Sequence, residues 1–357
     1  MSALLRLWLV CVALSATCAD ALNLKLKGVN YDFRQGPDYD PNRCKASALI
    51  ARELRLLSAV TPRVRVYSVS DCNVRPVFRY AKQYNLTVWL GVWVSNDTKV
   101  FDKELKTLTA MADEGVFERG LLAGVNVGSE ALYRNDSTPT QLINNMKRVK
   151  EVLAAHSLGN VPVSITDTLG ELLKNPSVIE AVDVVTFNLF PFWSKIDIKD
   201  AAQNLNKSIA SFQGSVGGSN KPFVITETGW ASNGADSRAS EANPKNAAQY
   251  LNDFFVLADA QNWSYYYFSG FDTPYRKEVE KNTDTVEAYF GLFSSTGRMN
   301  KHYETLSING TRGHDGSVTE TPVPTSAPTP AKTNGAARSS FALSSGTILA
   351  LGILWMG

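Results

Sequence analysis

The sequence predicts an α/β fold, a (β/α)8 TIM barrel. Three observations lead there. Eight apolar runs rich in β-branched and aromatic residues recur along the body of the chain. Seven stretches with the apolar spacing of amphipathic helices separate them. No run is followed by the phosphate-cradling glycine turn of an open doubly wound sheet, the rival architecture.

In chain order, a strand is expected over 24–31, ending on Gly28-Val29-Asn30-Tyr31, and a helix over 44–58, where apolar residues fall on one helical face. The run Val64-Arg65-Val66-Tyr67 marks a second strand, 64–68, and 74–84 the next helix. Leu90-Gly91-Val92-Trp93 lies in a third strand, 87–94, before a helix over 103–117. The fourth strand, 122–130, carries Val125-Asn126-Val127-Gly128-Ser129-Glu130 and precedes a helix over 141–155. Strands over 161–167 and 184–192 flank a helix over 170–181. A helix over 199–212 leads to the seventh strand, 223–230, which reads Phe-Val-Ile-Thr-Glu-Thr-Gly-Trp. A last helix, 246–260, and a strand over 264–272 complete the set. Residues 22–308 are long enough for one large core.

Both ends have other readings. Residues 1–21 have the basic start, short apolar run and small-residue cleavage site of a secretory signal. Residues 309–334 form a Thr/Ser/Pro-rich stretch with too little apolar surface to fold, expected to be an extended stalk. Small residues Asn334-Gly335-Ala336, a polar spacer and an apolar tail over 335–357 follow the pattern of a GPI-anchor signal attached at Asn334. A C-terminal transmembrane helix is the other reading of this tail. The expected location is therefore outside the cell, at its surface or wall, with membrane contact through a lipid anchor.

The four cysteines agree with that route. Cys11 and Cys18 leave with the signal, and Cys44 and Cys72 form an even pair suited to one disulfide or, alternatively, two buried thiols. Sequons occur at Asn85, Asn96, Asn135, Asn206, Asn262 and Asn309. In a barrel, Asn85 and Asn262 precede strands and would sit at its bottom. Asn96 and Asn135 follow strands and would sit on the active face, where an Asn135 glycan could border the cleft. A net charge of +2 with no basic run argues against nucleic acid. No Cys/His cluster suggests a metal, and no cofactor motif is present. A monomer is expected.

Chemistry concentrates at Glu130 and Glu227, each closing an apolar run. In a barrel both reach the C-terminal face, where such folds keep their active sites. Two carboxylates there suit the acid/base and nucleophile of glycoside hydrolysis. A lone strand-end glutamate is more often a solvated rim residue, but Asn126, Tyr133, Asn188 and Trp230 fall at the same face. The three histidines, His156, His302 and His314, are not at strand-end loops of the body, which leaves no Ser-His-Asp arrangement.

At these residues the chain resembles glycoside hydrolase family 17, the β-1,3-glucanases and glucanosyltransferases of fungal walls and plants. Val127-Gly128-Ser129-Glu130-Ala131-Leu132-Tyr133-Arg134 is similar to the acid/base motif of the fungal branch. Thr226-Glu227-Thr228-Gly229-Trp230 is similar to the nucleophile motif, and Glu287-Ala288-Tyr289-Phe290-Gly291-Leu292-Phe293 to a late Glu-x-x-x-Gly-Leu-Phe segment. The resemblance covers about residues 26–306 and implies a retaining enzyme acting on β-1,3-glucan. Glu130 is then the acid/base and Glu227 the nucleophile, with carboxyls about 5–5.5 Å apart. Glu130 must begin protonated, and burial and the neighbouring charge would both raise its pKa.

Two departures stand out. Ser129 replaces an asparagine common in the wider clan. In the eighth strand, Phe268-Ser269-Gly270-Phe271-Asp272-Thr273-Pro274-Tyr275-Arg276 has Ser269 and Thr273 where the family commonly has acids. An inactive, wall-bound glucan-binding protein is therefore the alternative. Substrate contacts are expected from Tyr31, Tyr67, Asn126, Ser129, Tyr133, Asn188, Trp230, Phe271 and Glu287. Glu287 reads equally as a salt-bridge partner. Phe190, Phe192 and Trp193 read as cleft or core, and Asp32 and Arg34 as hydroxyl ligands or as a pair. Of Tyr265, Tyr266 and Tyr267, which alternate across one strand, Tyr266 is expected to face the helices.

Overall fold

A computed structural model describes residues 25–216, 221–304 and 306. The signal over 1–21, the stalk over 309–334, the anchor signal with Asn334, the sequon at Asn309 and His314 lie outside the described residues.

Eight parallel strands close into a barrel in sequence order. They are β1 (Val29–Asn30), β2 (Arg63–Arg65), β3 (Thr87–Val92), β4 (Leu122–Ser129), β5 (Val163–Thr168), β6 (Val185–Asn188), β7 (Phe223–Thr228) and β8 (Ser264–Tyr267). The helices between them are α1 (Ser47–Val60), α2 (Arg75–Gln83), α3 (Thr98–Asp113), α4 (Pro139–Ala155), α5 (Leu169–Lys174), α6 (Pro176–Ala181), α7 (Ile198–Ser215) and α8 (Pro244–Ala260). Two short helices, α9 (Arg276–Val279) and α10 (Lys301–Glu304), follow β8. Each predicted strand is present, and every one is shorter than its apolar run or equal to it in length.

Capping explains most shifted boundaries. Asp97 accepts from the Lys99 amide, so α3 begins before the expected 103. Thr138, Asp197 and Asn243 cap α4, α7 and α8 in the same way. The helix expected over 170–181 is two helices. Pro176 cannot donate to the turn before it, so α5 stops at Lys174 and α6 starts on the proline.

The barrel interior is layered. Near the bottom, Trp89 and Tyr266 meet edge to face at 6.0 Å beside Val224. Gly28 and Gly124 leave them room: a Cβ would come within 2.6 Å of Tyr266 and 2.7 Å of the Trp89 ring respectively. Tyr266 therefore points inward, not toward the helices as expected. Tyr265 and Tyr267 take that side and pack on Phe254 of α8. Three successive tyrosines have one hydropathy, so only the registered neighbours fix which face each one takes.

Above that layer the interior is polar. Trp89 donates to Asn126, whose amide donates to Thr186, and Ser164 and Thr166 join the same cluster. The β8–β1 closure is narrow, with Val29 paired to Tyr267. The Asn30 amide reinforces it by donating to the carbonyls of Thr226 at 2.9 Å and Tyr266 at 3.1 Å. Cys44 and Cys72 are joined by a disulfide linking the loops after β1 and β2. Sequon residues Asn85, Asn96, Asn135 and Asn262 are exposed, and Asn206 is half-buried on α7.

Candidate active site

Strict alternation would not deliver both glutamates to the barrel mouth. In β7, Thr226 faces inward and donates to Asn188, while Thr228 faces outward and meets the Tyr250 hydroxyl of α8. The residue between them still turns inward because the β7–β8 register slips between Ile225 and Thr228. Such a bulge re-aims a side chain at the cost of ladder regularity. In β4 the register slips between Asn126 and Ser129. Gly128 has φ +77° there, and Glu130 itself has φ +57°. A left-handed glutamate stores about 1–3 kcal/mol of strain, which its surroundings must hold. The Glu130 amide donates to Thr166 O at 2.9 Å, and Asp167 accepts from the Leu132 amide just beyond.

Glu227 is 2% exposed, and its Oε1 accepts from Arg65 Nη1 at 2.8 Å. Arg65, 1% exposed, also donates to Asn30 Oδ1 at 2.9 Å and to Ser129 Oγ at 3.1 Å, and lies over the Tyr67 ring. One guanidinium thus ties β1, β2, β4 and β7 together beneath the mouth. Burial and the charge of Glu227 push the Tyr67 hydroxyl well above its usual range, which places that ring beside the carboxylate.

Glu130 is 6% exposed and accepts from Asn188 Nδ2 at 2.8 Å. Asn188 is also the register partner of Glu227, so the strand that holds the Glu130 carboxyl lies directly beside the one that carries Glu227. Burial, then the charge of Glu227, raises the Glu130 pKa to about 8 against the opposing Asn188 bond. Glu287 belongs to the same mouth. Burial raises its pKa to about 8, Arg276 opposes that, and Glu227 and Glu130 both add to it. Its Oε2 finds no hydrogen-bond partner among the described residues. The arrangement sets one protonated carboxyl beside one arginine-paired carboxylate, the division of labour that glycosidic cleavage requires.

The structure brings Glu130, Glu227, Tyr67, Ser129, Asn188 and Glu287 together, with Tyr133 half-buried on the loop after Glu130. Four expected substrate contacts are elsewhere. Asn126 is consumed by Trp89 and Thr186 deeper in the barrel. Tyr31 is buried and donates to Glu53 at 2.7 Å. Trp230, 0% exposed, packs on Phe192 and Tyr250 and donates to Glu241 O, because the chain turns inward after β7 instead of staying at the rim. Phe271 is buried and stacks on Phe293. Phe190 and Phe192 are core, and Trp193 is half-buried against them. Asp32 accepts from Tyr275, whereas Arg34 pairs with Asp38 and Asp71. Ser269 and Thr273 spend their hydroxyls on the carbonyls of Phe271 and Glu287.

Arg65, Asn30 and Asp167 escaped the sequence reading. The available signal was a cation between two apolar residues, Val64 and Val66, both of which are fully buried.

Residues 28–291 match the model of the BtgE/BtgC glycoside hydrolase domain. A glucan 1,3-beta-glucosidase of Saccharomyces cerevisiae is 28% identical over 280 residues, 75% of this chain and 88% of that protein. The glucan endo-1,3-beta-glucosidase btgC of Emericella nidulans is 27% identical over 269 residues, 68% of this chain but 40% of its own length. Among solved structures, an active-site mutant of the Rhizomucor miehei beta-1,3-glucanosyltransferase in complex with laminaritriose is similar with a TM-score of 0.68. It is 28% identical and covers 79% of this chain and 97% of that one.

Proposed function

The chain belongs to the BtgE/BtgC glycoside hydrolase family, within glycoside hydrolase family 17, and from that premise we propose that it is a retaining β-1,3-glucanase of cell-wall glucan. Glu227 attacks the anomeric carbon, and the bond to the leaving sugar oxygen breaks as Glu130 gives that oxygen its proton. The resulting glycosyl ester is then cleaved by water or a sugar hydroxyl, whose proton returns to Glu130. Water gives hydrolysis, and a sugar hydroxyl gives glucanosyl transfer. The observation that carries this reading is the unlike environment of the two acids: a neutral Glu130 on Asn188, and Glu227 against Arg65.

Tyr67, Ser129, Asn188 and Glu287 position the reacting sugar in this proposal, Ser129 having its hydroxyl already oriented by Arg65. The chain enters the secretory pathway, loses residues 1–21 and is held at the cell surface through a lipid at Asn334, acting as a monomer.

Product analysis on reduced laminari-oligosaccharides tests the activity. Shorter products mean hydrolysis, and longer ones mean transfer. Turnover should fall by several orders of magnitude in Glu227→Ala. Binding of laminarin without turnover by the unaltered protein would overturn the proposal in favour of a glucan-binding role.

A further inference from the structure

Among the described residues, Tyr39 is one of two large apolar side chains left exposed, and it is 72% exposed. A lone exposed tyrosine is ordinary. Its position is not. Tyr39 sits in the loop after β1, on the catalytic face, and its hydroxyl reaches Glu278 of α9, which follows β8. Between that loop and α9 lies a pocket of about 150 Å3 lined by Asp38, Tyr39, Tyr275, Arg276, Glu278 and Lys281, among others. On the scale of buried-water sites this is room for on the order of ten waters, which suits one pyranose ring.

The pocket is coupled to the active site through its lining residue Arg276. Tyr275 forms part of its floor and donates to Asp32 at 2.6 Å. The buried Arg276 beside it interacts electrostatically with Glu287, which senses both Glu227 and Glu130. The barrel order sets the polarity. An acid/base protonates the leaving oxygen, so the aglycone lies on the β4 side with Glu130. The glycone then lies on the nucleophile side, and β8 and β1 follow β7 around the ring, opposite β4.

We propose that Tyr39 and this pocket form a distal glycone subsite, in which a glucosyl ring of the β-glucan chain stacks on the tyrosine. This deepens the proposed function and rests on it. The aromatic face accepts the apolar face of the sugar, while the carboxylates of Asp38 and Glu278 and the Lys281 ammonium at the rim meet its hydroxyls. A chain too short to reach Tyr39 gains nothing from it, so the subsite sets chain-length preference.

The test compares kcat/KM on laminaritriose and laminariheptaose, using the full chain. In Tyr39→Ala the ratio of heptaose to triose efficiency should fall about three- to tenfold, the size of one aromatic stacking contact. Tyr39→Phe keeps the ring, loses only the bond to Glu278, and should hold the ratio of the unaltered protein. An unchanged ratio in Tyr39→Ala, or an equal fall in Tyr39→Phe, overturns the subsite. Calorimetric titration with laminariheptaose in a Glu227→Gln background reads the same contact without turnover. An unchanged Kd in Tyr39→Ala refutes the subsite, whereas absent turnover in a protein that binds normally refutes only the glucanase reading.

Discussion

Replacing Glu130 by glutamine should stabilise the fold, and by an amount that grows with pH. The carboxyl moves from an ordinary 4.5 to about 8 on folding. The folded state therefore holds the proton more tightly than the unfolded chain. Below about pH 4.5 both states are protonated and stability is at its fullest. Between about 4.5 and about 8 only the unfolded chain ionises, and stability falls by roughly 1.4 kcal/mol per pH unit. At pH 7 the loss amounts to about 3 kcal/mol, an upper estimate for a group that shares its field with Glu227. Glutamine can still accept from Asn188 Nδ2 but cannot ionise, so Glu130→Gln escapes the loss. Asp272, also raised by burial, lies outside the field of Glu130, titrates alike in both proteins and cancels in the difference. Thermal melts between pH 5 and 8 should show the variant pulling ahead with rising pH, by about 6 °C at pH 7 for a domain of this size. A gap that stays constant across that range would mean that Glu130 is ionised in the fold, and the acid assignment would fail with it.

Two further outcomes follow from the same geometry. The kcat/KM profile on laminari-oligosaccharides should lose activity as pH rises through about 8, where Glu130 gives up its proton; an alkaline limb lying below pH 6 would contradict the assignment. Arg65→Met should cost about 3–5 kcal/mol at neutral pH, because it strands the buried Glu227 charge. Denaturant titrations should show much of that loss recovered when Glu227→Gln is added, and a single variant within about 1 kcal/mol of the unaltered protein would refute the pairing.

The barrel was legible in the sequence because alternation of apolar runs and amphipathic helices survives in every unit. Capping residues moved boundaries and Pro176 split one expected helix into two, but the eight strands remained. The two glutamates were legible for the same reason: each closes a strand. What hydropathy hid was inward or outward orientation. Glu227 faces inward because a bulge slips the register, and Tyr266 has room inside because Gly28 lies against its ring. Trp230 was misplaced because two residues past β7 the backbone leaves the rim. Arg65 was missed because a charge within a short strand reads as solvent-facing, whereas a barrel lumen gives it an interior anion to meet.

The seam between the last strand and the first has a consequence for how the enzyme comes to life. The cylinder is closed there by a short ladder and two backbone bonds, and one asparagine side chain adds to them. The same asparagine steadies the guanidinium that grips Glu227. Shutting the ring and arming the attacking group are thus linked: a half-assembled chain, its ends still apart, lacks the asparagine contact that steadies the grip on Glu227.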